Sequence, residues 1–121
     1  MSKMNELVKP LWLNALRSDE FTQGAGVLHS NDDTYCCLGV LCELYMRHSE
    51  ENIDWRYDNH RAQYYLFGEE ELLPVKVMEW AGIEDNSGTI NLSDMTYTTL
   101  AELNDSGYTF AELADLIEKQ Y

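Results

Sequence analysis

The sequence predicts an α+β fold in a single domain, residues 1–121, with four to five helices and a small antiparallel sheet built from hairpins. An uninterrupted apolar run at 35–42 passes directly into a segment with polar residues at helical spacing, as a buried element entering a helix does. Segments with the period of amphipathic helices occur near both ends of the chain. Between them, aromatic and β-branched runs flank clusters of turn-forming residues, which is typical of hairpins.

The first helix is expected at about residues 4–18. Leu7, Leu11 and Ala15 recur every four residues and would form one apolar stripe. Pro10 is tolerated only near a helix start, so the regular part of the helix is expected to begin about one residue before it.

Two hairpins are expected around the central helix. The first has strands at 26–30 and 34–37, joined by an Asn-Asp-Asp turn. The helix follows at about 38–48 and contains most of the apolar run. The second hairpin has strands at 53–57 and 62–67.

A short helix is expected to begin at Pro74 and to end at Gly82, which suits a C-cap. Val75, Met78 and Trp80 are expected to face inward.

The remaining elements are a short strand at 89–92, a helix at 95–103 and a last helix after residue 109. Thr109 with Glu112 three residues later forms a capping box, which is the strongest local helix signal in the chain.

No residue pattern indicates a catalytic or metal site, and no cofactor is expected. The three cysteines lie within the apolar run, where a thiol packs as a small hydrophobe, and no zinc-binding spacing occurs. Three alternatives stay open: a zinc site, a thiol nucleophile with a histidine base, and a hydrolase using paired carboxylates. The zinc site would use Cys37, Cys42, His29 and His48, and the base would be His29 or His48.

The charge balance excludes several classes of partner. Eight Lys and Arg residues against 22 Asp and Glu give a formal net charge of -14, which argues against direct binding of nucleic acid or anionic membranes. No apolar stretch approaches the roughly 18 residues of a membrane span, and the first residues lack the apolar part of a signal peptide. With an odd number of cysteines, we expect a cytoplasmic protein with reduced thiols.

The acidic residues are concentrated toward the C-terminus, since no basic residue lies between Lys76 and Lys119. This segment is either a solubilising surface or a surface that imitates nucleic acid and occupies the basic groove of a partner. The carboxylates expected to contact such a partner are Glu79, Glu84, Asp85, Asp94, Glu102 and Asp105.

The loop after the first helix is the candidate ligand-binding segment. It is either a plain turn or a small anion- or amide-binding loop, because its glycines permit close backbone approach. In the second case Arg17, Thr22 and Gln23 would act as donors beside the backbone of Gly24 and Gly26.

The second hairpin is rich in aromatic residues. They either belong half to the core or form a stacking or partner face. They are Trp55, Tyr57, Tyr64 and Tyr65.

Several motifs together resemble an uncharacterised family of small acidic bacteriophage and prophage proteins. They are ALRS at the end of the first helix, QG-x-G-x-L in the loop and YCCLGVLC in the apolar run. The segments WAG and LNDSG, the latter followed by FAE, are also similar to that family's C-terminal pattern. The resemblance covers most of the chain except about residues 49–70.

The resemblance implies a phage accessory protein that works in the cytoplasm of an infected bacterium. From it we expect a non-enzymatic anti-defence protein that acts by stoichiometric binding and sequesters a nucleotide-derived immune signal, in pockets of a homo-oligomer. One alternative is an acidic mimic of nucleic acid that blocks a host defence protein through residues 77–118. Another is a small nucleotide hydrolase.

Overall fold

A computed structural model describes residues 3–93 and 95–121. The described chain forms five helices and two antiparallel two-stranded sheets, so the expected α+β class is confirmed. None of its helices combines the length and the apolar character that crossing a bilayer requires. In chain order the elements are α1 Val8–Arg17, α2 Cys37–His48, β1 Arg56–Asp58, β2 Gln63–Tyr65, α3 Val75–Ala81, β3 Thr89–Ser93, β4 Thr96–Thr99, α4 Leu100–Asp105 and α5 Phe110–Gln120.

Helix α1 begins close to the expected position. The side-chain oxygen of Asn5 accepts hydrogen bonds from two backbone N–H groups at the helix start, at 2.8 and 3.3 Å. Pro10 lies in the first turn, where its missing N–H leaves no hydrogen bond unmade. The apolar face buries Trp12, whose indole N–H donates to the backbone oxygen of Cys37 at 3.0 Å. This bond joins α1 to the start of α2.

Helix α2 crosses the middle of the core, as the apolar run predicted, and residues 37–42 are all buried. Gly39 lies where the backbone of Leu28 passes against the helix. A Cβ at Gly39 would lie 1.8 Å from the carbonyl oxygen of Leu28. Only glycine permits this close approach.

The first expected hairpin, 26–30 with 34–37, is wrong as a strand pair, because these segments make single backbone pairs and no ladder. Tyr35 pairs with Gln23 in parallel and also with His29 in antiparallel orientation. Its N–H donates to the backbone of residue 22, and its carbonyl accepts from that of residue 24. Tyr35 thus lies between two segments, and each of them pairs with it at one position only.

The second hairpin is present but shorter than expected. Strands β1 and β2 pair with Tyr57 opposite Tyr64, and Ala62 adopts a φ of 57° in the turn. The N–H of Tyr64 donates to the carbonyl of His29 at 3.0 Å. This hydrogen bond joins the β1–β2 hairpin to the segment that precedes α2.

Helix α3 ends at Gly82 with a φ of 75°, in agreement with the expected C-cap. Its inward face differs from the expectation. Val77 is fully buried, whereas Val75 is exposed and Met78 and Trp80 are only half-buried. Val75 and Val77 lie on opposite sides of the first turn. The buried face of α3 is therefore the face of Val77, not the expected face of Val75.

The helix expected at 95–103 is wrong in its first half, where the chain forms β4, and α4 starts only at Leu100. The residues of β4 are threonine and tyrosine, which favour a strand when a partner strand is available. Strand β3 supplies this partner, with Thr89 opposite Thr99. The Thr99 side chain then caps α4 by accepting a hydrogen bond from the N–H of Glu102 at 3.1 Å.

The expected capping box of α5 is confirmed. The Thr109 hydroxyl accepts from the N–H of Glu112 at 3.2 Å, and the Glu112 carboxylate accepts from the N–H of Thr109 at 2.9 Å. Helix α5 packs along α1, where Lys9 Nζ donates to the carbonyls of Glu118 and Tyr121 at 3.0 and 2.8 Å. The first and last helices therefore close the fold against each other.

Candidate binding sites

The three cysteine side chains are free thiols and are buried. Burial raises the pKa of Cys36 to about 11 and raises the pKa values of Cys37 and Cys42 well above the ordinary range. A buried thiol that stays protonated is a poor nucleophile. Within residues 3–93 and 95–121, no three His, Cys, Asp or Glu side chains lie close enough to hold a metal ion, so the alternative zinc set with His29 and His48 is not assembled.

His29 belongs to an aromatic stack. Its imidazole lies between the rings of Tyr35 and Tyr64, with centroid distances of 4.0 and 4.2 Å and nearly parallel planes. Its Nε2 lies 2.7 Å from a carboxylate oxygen of Asp33, and Nδ1 is buried without a hydrogen-bond partner in the described chain. The His29 side chain therefore packs the segment at 29–35 against the β1–β2 hairpin.

The predicted ligand loop takes part in a largely buried polar network, the polar corner, which we define by Gln23, Gly24, Asn104 and Tyr108. Gln23 Nε2 donates to Asn104 Oδ1 at 2.9 Å and to the carbonyl of Tyr108 at 2.7 Å. Gln23 Oε1 accepts from the N–H of Phe110 at 3.0 Å, and Asn104 Nδ2 donates to the carbonyl of Gly24 at 2.8 Å. The Gln23 amide therefore uses both its ends inside the molecule.

Asn104 brings three sequence motifs together. Its Oδ1 also accepts from the N–H of Cys37 at 3.2 Å. One side-chain amide thus joins the QG loop, the start of the YCCLGVLC helix and the LNDSG segment. Sequence reasoning missed this role because it considered Asn104 only as part of the LNDSG motif, at the end of the helix expected at 95–103. The sequence signal that could have indicated this contact is the occurrence of the three motifs together in one chain.

The two glycines of the loop serve its packing. A Cβ at Gly24 would lie 2.2 Å from the hydroxyl oxygen of Thr34. Gly26 has a φ of 84°, and its N–H donates to Asp105 Oδ1 at 2.9 Å. The N–H of Gly24 donates to the carbonyl of Tyr35 at 2.8 Å. Both backbone donors that an anion would use already have partners.

Arg17, the expected cationic contact, is held by α5. Its Nη2 lies 2.8 Å from Asp115 and 2.6 Å from Glu118. Hydrogen bonds to Glu118 and then Asp115 raise the pKa of the Arg17 guanidinium. Thr22 is exposed. Gln23 and Gly24 therefore lie at the polar corner, whereas Arg17 lies in the contact between α1 and α5.

An open recess of about 380 Å³ lies over the polar corner. Its lining residues are Gln23, Gly24, Ala25, Asn104, Asp105, Gly107 and Tyr108. None of them is basic, and one carries a carboxylate, so the recess suits an amide or a cation better than a phosphate.

Several carboxylates of the C-terminal third stabilise the fold. Burial opposes ionisation of Asp85, but hydrogen bonds from Thr89 and from the backbone at 87–89 outweigh it and lower the pKa of Asp85. Glu102 accepts a hydrogen bond from the Thr98 hydroxyl at 3.0 Å.

The other carboxylates predicted to contact a partner differ in position. Glu79 and Glu84 are exposed. Asp105 is exposed but holds the loop through Gly26. Asp94 lies outside the described residues.

The β3–β4 hairpin exposes three large apolar side chains, Leu92, Met95 and Tyr97, which we call the hairpin surface. These side chains are 44%, 85% and 62% exposed. The outer edge of β3 is covered at Asn91, whose N–H and carbonyl both bond to the Gln120 side chain at 2.8 Å. In the described chain, the outer edge of β4 has no backbone partner. Sequence reasoning missed this surface because it placed Met95 and Tyr97 on a helix.

The four aromatic residues predicted for the second hairpin lie in two different environments. Tyr64 and Trp55 pack toward His29, and Trp55 Nε1 donates to Glu43 at 3.0 Å. The other two tyrosines line an open recess of about 480 Å³ beside β1 and β2. That recess is lined by Tyr57, Asp58, Asn59, His60, Tyr65, Gly68 and Glu70.

No curated protein and no solved structure matches this sequence. A family model described as a domain of unknown function, DUF8296, matches residues 4–121. The match includes all five helices and both sheets. The chain therefore belongs to the DUF8296 family.

Proposed function

We propose that this protein is a non-enzymatic binding protein that inhibits a basic partner protein, and that the partner docks on the hairpin surface. One observation carries the proposal. Three large apolar side chains are exposed on one short hairpin whose β4 edge has no backbone partner in the described chain, within a segment that contains no basic residue.

The apolar part of the hairpin surface supplies affinity. Several large exposed apolar side chains on one short element favour an interaction site, and an open strand edge offers N–H and C=O groups to an extended segment of another chain. Full burial of Met95, which is 85% exposed, would contribute about 1.5–3 kcal/mol, and burial of the half-exposed Leu92 would contribute less.

The charge around the hairpin selects the partner. Glu84 precedes β3 and Glu102 follows β4, both are exposed, and no Lys, Arg or His lies at 77–118. Such a surface repels acidic proteins and attracts basic ones. The attraction is screened within about 8 Å at physiological salt, so binding is expected to depend on salt.

The resemblance to phage proteins supplies the cellular context. The partner we propose is a host defence protein that binds nucleic acid, since such a protein needs a basic groove to hold phosphates. By placing the hairpin surface and the carboxylates around it in that groove, the protein would act as a stoichiometric anti-defence inhibitor in the bacterial cytoplasm.

Sequestration of a nucleotide signal has less support from the geometry. Arg17 is held by two carboxylates, and the recess beside Gln23 and Gly24 contains Asp105 and no basic lining residue. This alternative predicts that calorimetry detects nucleotide binding and that Arg17→Ala abolishes it. A hydrolase would instead convert the nucleotide, which chromatography of the mixture would detect.

The test of the proposal compares immobilised wild-type protein with the double variant Met95→Asn/Tyr97→Ser. Asparagine tolerates the positive φ of 63° at Met95. The matched control is Leu7→Ser, which removes another exposed apolar side chain, 80% exposed, at the start of α1. From lysate of a defence-competent bacterium, we expect wild type and Leu7→Ser to capture one protein in stoichiometric amount and the double variant to lose it.

The captured protein is then purified and titrated at low and high salt. We expect the wild-type affinity to fall as salt rises, and the double variant to bind weakly at every salt concentration. Equal capture by the double variant, or an affinity that salt leaves unchanged, would contradict the proposal.

A further inference from the structure

We infer that the recess beside the β1–β2 hairpin, lined by Tyr57, Tyr65, Asp58 and Glu70, binds a guanidinium group. The site lies on a different hairpin from the hairpin surface and uses none of its residues. Its failure would therefore leave the proposed function untouched, and the reverse also holds.

Tyr57 and Tyr65 both line the recess, but their rings belong to opposite faces of the hairpin. Tyr57 pairs with Tyr64 and lies edge-on against its ring, with ring centroids 5.1 Å apart. Tyr65 shares its face with Asp58 and Gln63, so its half-buried ring is the one on the carboxylate side. Aromatic faces attract cations, and a planar guanidinium also stacks on them.

Two carboxylates face the same recess and are held in place. The Glu70 side chain is only 17% exposed, and it accepts a hydrogen bond from Gln63 Nε2 at 2.7 Å. Asp58 accepts from the backbone N–H groups of His60 and Arg61, at 2.9 and 3.3 Å. A ligand would meet acceptors that are already ordered, which lowers the entropic cost of binding.

The chain already places one guanidinium against Glu70. Arg61 Nη1 lies 3.4 Å from a Glu70 oxygen, and the Arg61 side chain is 65% exposed. A pair this long and this exposed is weak. An external guanidinium can therefore displace Arg61, which acts as an internal competitor.

The charges of the site disfavour the opposite class of ligand. A phosphate would meet Asp58 and Glu70, and the one imidazole on the lining is that of His60. The net charge of -14 further concentrates cations near the surface. The side chain of Asn59 adds a neutral hydrogen-bonding group to the lining.

Calorimetric titration of the full chain with three small probes tests the inference. N-acetyl-arginine amide represents an arginine side chain of a polypeptide, agmatine represents a free guanidine metabolite, and N-acetyl-citrulline amide is a neutral analogue. We expect at least one guanidinium probe to bind and the citrulline probe not to bind. Tighter binding of the arginine probe would identify a polypeptide source, and tighter binding of agmatine a metabolite.

Variants then locate the site. Glu70→Gln keeps an acceptor for Gln63 but removes the charge, so we expect affinity to fall about tenfold. The control Glu71→Gln removes an exposed neighbouring charge that does not line the recess, and should leave affinity within about twofold. Arg61→Ala should tighten binding severalfold, because it removes the competitor.

Thermal melts confirm that each variant is folded before it is titrated. The inference is overturned if neither guanidinium probe binds or if the citrulline probe binds equally well. It is also overturned if Glu70→Gln and Glu71→Gln have the same effect, or if Arg61→Ala weakens binding.

Discussion

Asn104 and His29 are the two polar side chains that the fold buries almost completely within residues 3–93 and 95–121. Asn104 satisfies its hydrogen-bonding groups by joining three segments, whereas His29 Nδ1 has no hydrogen-bond partner in the described part of the chain and the ring is held by stacking. A buried polar group stabilises a fold when it is fully hydrogen-bonded and costs free energy when it is not. The polar corner is thus a structural element built from residues that look functional in the sequence.

Asn104→Ala is expected to lower the free energy of unfolding by about 2–4 kcal/mol, because it leaves the N–H of Cys37 and the carbonyl of Gly24 without partners. Urea denaturation followed by circular dichroism measures the change. The control is Asn14→Ala on the exposed face of α1, which should stay within about 0.5 kcal/mol. Equal stability of the two variants would show that the polar corner is dispensable.

At the scale of elements, Gly39→Ala is expected to destabilise helix α2, although alanine is normally the better helix former. In an open helix, alanine is favoured over glycine by about 1 kcal/mol. Here the added Cβ would lie 1.8 Å from the carbonyl oxygen of Leu28, and two backbones would have to separate. We expect a large fall in the melting temperature or loss of soluble protein, measured by calorimetry against Asn14→Ala. A variant as stable as wild type would mean that the segment at Leu28 adapts freely.

The elements that local signals specify could be predicted from the sequence. The capping box of α5, the glycine C-cap of α3 and the apolar run of α2 each act within a few residues. Strand β4 could not be predicted, because it exists only through its pairing with β3. The sharing of Tyr35 between two segments is likewise decided by tertiary contacts.

At the scale of the whole molecule, the charge distribution was clear from composition, but the use of each charge was not. Arg17, Arg47, Arg61 and Lys76 all lie in ion pairs with carboxylates, and Asp105 holds the loop that was expected to bind a ligand. Such pairings depend on which surfaces the fold brings together. The hairpin surface and the guanidinium recess could not be predicted from the sequence either, because they also depend on which segments the fold brings together.

The net charge predicts how salt affects stability. Screening should weaken the repulsion among 22 acidic residues more than it weakens the exposed ion pairs, which contribute about 0.2–1 kcal/mol each. We therefore expect the melting temperature to rise between low salt and 0.5 M sodium chloride. The double variant Glu50→Gln/Glu71→Gln should show a smaller rise. A falling melting temperature would show that the ion pairs dominate.

The contact between α1 and α5 also sets an order of events during synthesis. Lys9 and Arg17 bond to residues near the far end of the chain, at Glu118 and Asp115. Contacts this distant in sequence form late, because a long loop must close first. While the ribosome is still extending the chain, α1 emerges before α5, so the flank of α1 that packs on α5 is uncovered. The packing of α1 is completed only after α5 has been synthesised, and until then its exposed apolar flank is prone to aggregation.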